Sequence, residues 1–150
     1  MPTLLRKWVR QMDELIFDRT EADVTYAKEH QSSAEHLKGA YNYTDLNRIE
    51  EWTDYLATEL NSYSYITDPT IKTDWTEADI PTYEHMERIR SNINALKNVY
   101  CATTSVPSSL SQMTYKKAND IERVLYEINE NFENMKKEFY YSNEIMAGEV

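Results

Sequence analysis

The sequence predicts an all-α fold, a compact bundle of about four to five helices joined by short polar loops, and three observations predict it. Apolar residues recur three and four positions apart through long stretches, which is the period of a helix face and not of a strand. Several of these stretches open on a Ser, Thr or Asn suited to capping a helix. Only 2 Gly and 4 Pro occur in 150 residues, too few for the tight turns of a many-stranded fold. A chain of this length is one ordinary domain that buries about two thirds of its unfolded surface. The expected organisation is an amphipathic N-terminal helix or leader over residues 1–17, followed by a helical module over 18–150.

The leader places Leu5, Trp8, Val9, Met12, Leu15 and Ile16 on one face, which requires an apolar partner. Next comes Thr20-Glu21-Ala22-Asp23, a string that returns as Thr76-Glu77-Ala78-Asp79. Thr followed three residues later by an acid is the pattern of a capping box, so each copy reads as a helix start. The first copy continues through Val24 and Ala27 as a helix. The second meets Pro81, which disfavours helical geometry at Ile80 and limits this copy to one short turn.

Three further starts share one form: a cap residue, Tyr, two polar residues, an apolar residue, two polar residues, Ile. They are Asn42 to Ile49, Thr82 to Ile89 and Thr114 to Ile121. The spacings between them are unequal, so the reading is of similar starts on similar helices and not of a regular solenoid. The helix from Asn42 presents Leu46, Ile49, Trp52, Leu56, Leu60 and Tyr63, with Tyr55 on its flank. The helix from Thr82 presents Met86, Ile89, Ile93, Leu96 and Tyr100. The last presents Ala118, Ile121, Leu125, Ile128, Phe132, Met135 and Phe139, a narrow seam that suits a bundle or a coiled coil. Gly39 permits the turn that delivers Asn42. Residues 64–74 and 102–112, polar and containing Pro69 and Pro107, read as loops.

Composition narrows the function. A net charge of −10 and a pI near 4.8 oppose binding to nucleic acid or anionic lipid, and no basic face of any size offsets them. The leader is interrupted by Arg6, Lys7, Arg10, Asp13 and Glu14, so no membrane span is expected there. Cys101 is the only cysteine, which rules out an intrachain disulfide. His30, His36 and His85 have no zinc-ligand spacing, nucleophile motifs are missing, and adjacent acids such as Glu50 and Glu51 point to different sides of a helix. The expectation is therefore a protein that is no enzyme, with no metal, cofactor or catalytic residue.

Tyrosine is the unusual component, 12 in all, with pairs at Tyr41/Tyr43, Tyr63/Tyr65 and Tyr140/Tyr141. Its large apolar body and hydrogen-bonding tip serve an interface or the rim of a core, and both readings stand for these residues. The last helix, about 26 residues from Thr114 and roughly 39 Å long, exceeds its neighbours and overhangs one end. The apolar cluster there is either a contact surface or covered by the leader. Leu5, Trp8, Met12, Tyr65, Phe139, Tyr140 and Tyr141 are accordingly the candidate interface residues.

The strings Asp18-Arg19-Thr20-Glu21-Ala22-Asp23-Val24, residues 38–49, Lys72-Thr73-Asp74-Trp75 and Leu110 to Glu122 resemble a helical module of tail-associated and other minor structural proteins of Firmicutes phages and prophages. The similarity covers most of residues 18–135, and residues 38–49 are its most specific part. The resemblance implies a structural, virion-associated protein acting through protein–protein contacts, in the virion or the cytoplasm of the bacterial host. Its partners would be other phage structural proteins or a further copy of itself, as a homo-oligomer. A small phage-encoded adaptor or regulator that binds a host protein is the alternative.

Overall fold

A computed structural model describes residues 12–33 and 35–148, with side chains as far as Phe139. Four helices make up the described chain: α1, Glu21–Glu29; α2, Tyr43–Asn61; α3, Tyr83–Val99; and α4, Tyr115–Gly148. No strand occurs among the described residues, so the fold is the expected all-α bundle.

Each start is capped as its sequence directs. Thr20 and Asp23 form a capping box at α1, as do Asn42 and Asp45 at α2. At α3 the imidazole of His85 takes the part of the acid, its Nδ1 standing 3.0 Å from the Thr82 amide. The Thr114 hydroxyl accepts from the Lys117 amide at 3.2 Å. The second TEAD string makes one turn, with the Thr76 amide donating to the Asp79 carboxylate at 2.8 Å and the Asp79 amide to the Thr76 carbonyl at 3.0 Å.

α2, α3 and α4 each pack on the other two. All three run in the same direction. Near their starts, Glu50 of α2 meets Arg88 of α3, and Arg48 of α2 meets Glu122 of α4. Near their ends, Glu59 of α2 meets Lys136 of α4, and Tyr100 after α3 lies against Phe132 of α4. Parallel neighbours require the chain to travel back between them, so the connections are longer than the short loops expected. Residues 62–82 return along α2 and α3, and residues 100–114 along α3 and α4. Residues 12–19 form a third strap, running backwards past Trp52 and Glu122 in the groove between α4 and α2.

The core is the space enclosed by the three helices and their straps. Ile49, Leu56 and Leu60 of α2, Ile89, Ile93 and Leu96 of α3, and Ile121, Leu125, Ile128 and Phe132 of α4 are fully or almost fully buried. Each buried aliphatic or aromatic side chain contributes about 1.5–3 kcal/mol. The predicted faces hold with three amendments, the first being that Phe139, at the far end of the α4 face, is exposed. Val124 is also buried, which widens the α4 stripe beyond a coiled-coil seam and fits a helix with two neighbours. Tyr63 falls after the end of α2 and is half exposed, because the chain has already turned away.

Gly39 also requires a correction. Its φ is not positive, so the turn does not demand glycine. Close approach does: a Cβ there would lie 2.1 Å from the carbonyl oxygen of Asp23, which packs the lead-in to α2 directly onto α1.

Candidate functional site

Among the described residues seven polar or charged ones are buried: Arg19, Asp45, Arg48, Glu50, Thr53, Glu59 and Glu122. Five of them belong to two hydrogen-bonded clasps that share one design.

In the first clasp, Glu122 of α4 is the central acceptor. Its Oε1 accepts from the strap amide of Ile16 at 3.0 Å, and its Oε2 from Arg19 Nη2 at 2.7 Å. Arg48, from α2, grips the same carboxylate with Nε at 2.7 Å and Nη2 at 2.9 Å. Asn119, one turn earlier on α4, pairs with the Arg19 backbone. Its Oδ1 accepts from the Arg19 amide at 3.1 Å, and its Nδ2 donates to the Arg19 carbonyl at 2.9 Å.

In the second clasp, Glu50 of α2 is the acceptor. Its Oε1 accepts from the strap amide of Lys72 at 3.1 Å, and its Oε2 from Trp75 Nε1 at 2.6 Å. Arg88, from α3, grips it with Nη1 at 2.5 Å and Nη2 at 2.9 Å. Asn47 pairs with the Trp75 amide at 2.8 Å and the Trp75 carbonyl at 3.0 Å.

Counted from the cap residue, Asn47 and Asn119 share one position, Arg48 and Arg88 a second, and Glu50 and Glu122 a third. On the straps, Arg19 and Trp75 correspond, and each stands directly before a TEAD string. The repeated tetrapeptide thus marks where a strap leaves its groove. After the first strap it grows into α1; after the second it makes a single turn, and α3 follows.

The first clasp holds a second carboxylate. Asp45 Oδ1 lies 3.2 Å from Arg19 Nη2 and 2.6 Å from Arg48 Nη2, so two guanidinium groups face two carboxylates and the buried charge is balanced. Burial works against the charge on Arg48, but the bond and charge of Glu122, with Asp45, outweigh it and raise its pKa above that of a free arginine. These groups are consumed by one another. A buried pair of this kind adds little net stability over apolar packing, yet losing one member is costly. Its effect is register: a strap shifted by one residue would bury a guanidinium or an indole N–H with no acceptor.

The third groove, between α3 and α4, departs from the design. Glu87 and Arg90 stand where the Asn and Glu would be, Asp120 where the Arg would be, and Glu87 pairs with Arg90. The strap is held lower down, by Glu127, which accepts from the Thr103 hydroxyl at 2.8 Å and the Thr104 amide at 2.9 Å. Leu110 of that strap is buried in the core.

A groove of about 520 Å³ opens beside the helix starts, lined by Tyr43, Leu46, Ile80, Pro81, Met86 and Met113. Ile80 is 85% exposed on its rim. Tyr41 lies between this groove and a second one against α1. Its hydroxyl is buried with no hydrogen-bond partner among the described residues, and burial, with the charges of Glu122 and Asp45, pushes its pKa far above that of a free tyrosine.

The candidate interface residues have different fates. Met12 belongs to the core, carried inward by the strap whose Asp13 carbonyl accepts from Trp52 Nε1 at 2.8 Å. Tyr65 is 37% exposed with its ring edge-on to Tyr100, and Phe139 is 62% exposed. Leu5 and Trp8 lie outside the described residues, as do the side chains of Tyr140 and Tyr141, whose backbone is within α4. Among the described residues, no group of three or more His, Cys, Asp or Glu is placed to hold a metal ion, and no helix is long and apolar enough to cross a membrane.

Sequence reasoning missed the clasps. The signal was present: the three aligned starts carry Asn and Glu at matching positions in two copies, and Arg in two. Reading those positions only as polar residues between the apolar ones concealed it.

Compared with protein-family models, curated proteins and solved structures, the chain finds no match.

Proposed function

We propose that the chain is a non-enzymatic structural protein of phage or prophage origin, associated with the tail or virion, that works through protein–protein contacts. The resemblance of residues 18–135 to minor structural proteins of phages motivates the origin. One observation carries the mode of action. α4 has 34 residues, about 51 Å, against 19 and 17 for its two neighbours, about 28 and 26 Å. Its last bond to another helix is that of Lys136 with Glu59. α4 continues twelve residues further, to Gly148, and Phe139 is 62% exposed where that stretch begins. A helix end of this length, carrying Tyr140, Tyr141, Ile145 and Met146 in its sequence, suits a contact surface.

A purified particle tests the origin, because a virion component is present in fixed stoichiometry when particles are measured by mass spectrometry. The surface is tested by replacing Tyr140 and Tyr141 together with Ser. Assembly should weaken while the circular dichroism of the bundle is unchanged, and unaltered assembly would remove that surface from the proposal.

The alternative, a small adaptor that binds a host protein, draws on the groove under Ile80, which is wide enough for side chains of an apolar helix. On that reading the protein is missing from particles, and Ile80→Asp, not the tyrosine pair, abolishes its effect on the host.

A further inference from the structure

We infer that residues 1–11 dock on the bundle itself, as an amphipathic helix laid antiparallel to α2 and α4 in the groove that continues beyond the first strap. The occupant of that groove is this chain's own leader and not a separate protein.

The strap sets where the leader begins. Followed backwards, Arg19 meets Asp45, Ile16 meets Glu122 and Asp13 meets Trp52, so the chain climbs toward the ends of α2 and α4, and Met12 is buried at the top of this climb. The groove goes on beyond that point. Tyr55 and Glu59 continue the face of α2 that carries Arg48 and Trp52, and Glu133 continues the face of α4 that carries Glu122 and, against Phe17, Tyr126. Tyr55, its ring edge-on to Trp52 at 5.9 Å, is 4% exposed and Glu59 is 9% exposed, although both stand past the level at which the strap crosses α2. Chain tethered at Met12 supplies their cover. From Trp52 to Asn61, the end of α2, a helix rises about 14 Å, and residues 1–11 as a helix measure about 16 Å. The leader fits the length of groove that remains.

The chemistry matches as well. At helical spacing Leu5, Trp8, Val9 and Met12 share one face, and Met12 is already in the core. Arg6 and Arg10, one turn apart, lie to one side of that face, and Lys7 lies opposite it. These three cations are met by no acid within residues 1–11, in a chain whose net charge is −10. The groove is the reverse. Glu51, Asp54 and Glu59 of α2 and Glu130 and Glu133 of α4 outnumber Lys136 and Lys137, and Lys136 is divided between Glu59 at 3.5 Å and Glu133 at 2.8 Å. Burial raises the pKa of both Glu51 and Asp54, with the charge of Asp13 adding to it at Glu51, as befits carboxylates on a partly covered rim. Arg6 and Arg10 bring positive charge to that rim while the apolar face fills the floor. A segment joined at Met12 is also held there at an effective concentration on the order of millimolar, which favours it over an occupant arriving from solution.

Trypsin acting on the full chain tests this, because its sites after Arg6, Lys7 and Arg10 all lie in the leader. These bonds should be cut at least about tenfold more slowly than in a synthetic peptide of residues 1–14, since cleavage follows the population of the open form. Trp8→Asp should bring cleavage to the peptide rate with the helix content of the bundle unchanged. Reversing the rims, with Glu51→Lys, Asp54→Lys and Glu130→Lys together, should speed cleavage severalfold. Cutting at the peptide rate in the unaltered chain overturns the docking, and a rate unmoved by Trp8→Asp overturns the apolar face as its basis. A rate unmoved by the rim reversal overturns the groove as its place. Protection that disappears on dilution puts the leader on a second copy and overturns the intramolecular arrangement. Particle composition enters none of these outcomes, so this inference and the virion reading fail separately.

Discussion

Replacing Glu122 with Gln changes one oxygen for an amide nitrogen, and the structure makes this small change expensive. The carboxylate is fully buried and receives four hydrogen bonds: from the Ile16 amide, Arg19 Nη2, Arg48 Nε and Arg48 Nη2. A glutamine can accept only on its remaining oxygen, and its NH₂ confronts donors in place of acceptors. Two charge-assisted bonds are lost, each of about 1.5–3 kcal/mol, and Asp45 is left to balance two buried guanidinium groups. The expected loss is about 3–5 kcal/mol, the range seen when one member of a buried ion pair is removed. Against a total stability of about 5–15 kcal/mol, the variant should retain little margin. Urea unfolding followed by far-ultraviolet circular dichroism measures this as a large fall in midpoint with an unchanged slope. Arg90→Gln is the control, since Arg90 occupies the same position on α3 but pairs with Glu87 near the surface. It should cost no more than about 1 kcal/mol. A Glu122→Gln loss as small as that of Arg90→Gln would refute the account of the clasp.

Three further predictions concern the straps, the close approach at Gly39 and the buried tyrosines. Asn47→Ala and Asn119→Ala each delete two bonds to a strap backbone and should destabilise alike, by about 1–3 kcal/mol in urea unfolding; a large difference between them would break the equivalence of the two grooves. Gly39→Ala should cost about 1–3 kcal/mol or more, because its methyl group meets backbone and not a movable side chain, and thermal unfolding would register it. The pKa values of Tyr41 and Tyr55 are both raised in the folded chain, by burial first and by nearby carboxylates second. Their neutral forms therefore favour folding fully below pH 10. Above pH 10 the unfolded chain ionises first, and stability should fall by up to about 1.4 kcal/mol per pH unit for each tyrosine. Ultraviolet titration of phenolate, with Tyr41→Phe reducing the slope, checks this.

The helices were legible in the sequence because capping and apolar spacing are local. Thr20, Asn42, Thr82 and Thr114 announce their helices, and Leu46 through Leu60, Ile89 through Leu96 and Ala118 through Phe132 turn inward as their spacing requires. The direction of the helices was not legible. Whether neighbours run parallel is decided by what the connections bind, and residues 64–74 read simply as a polar loop until Lys72, with Trp75 just after it, is seen to bind Glu50. Buried charge was hidden for a related reason. Arg48 and Glu122 are 74 residues apart, and neither is remarkable without the other. The aromatic end of α4 was foreseen as an overhang, but its extent was not: the helix runs to Gly148, well past the 26 residues expected.

The first strap has a consequence for how the molecule comes into being. Ile16 and Arg19 bind partners 100 to 106 positions later in the chain, so their places do not exist until α4 has left the ribosome. At about 5–20 residues per second, the opening segment waits on the order of 5–20 seconds with an arginine destined for the interior still in water. Contacts of such long span also slow the search that follows release. A nascent chain stalled before residue 119 should leave that segment open to protease, and release of the full chain should close it.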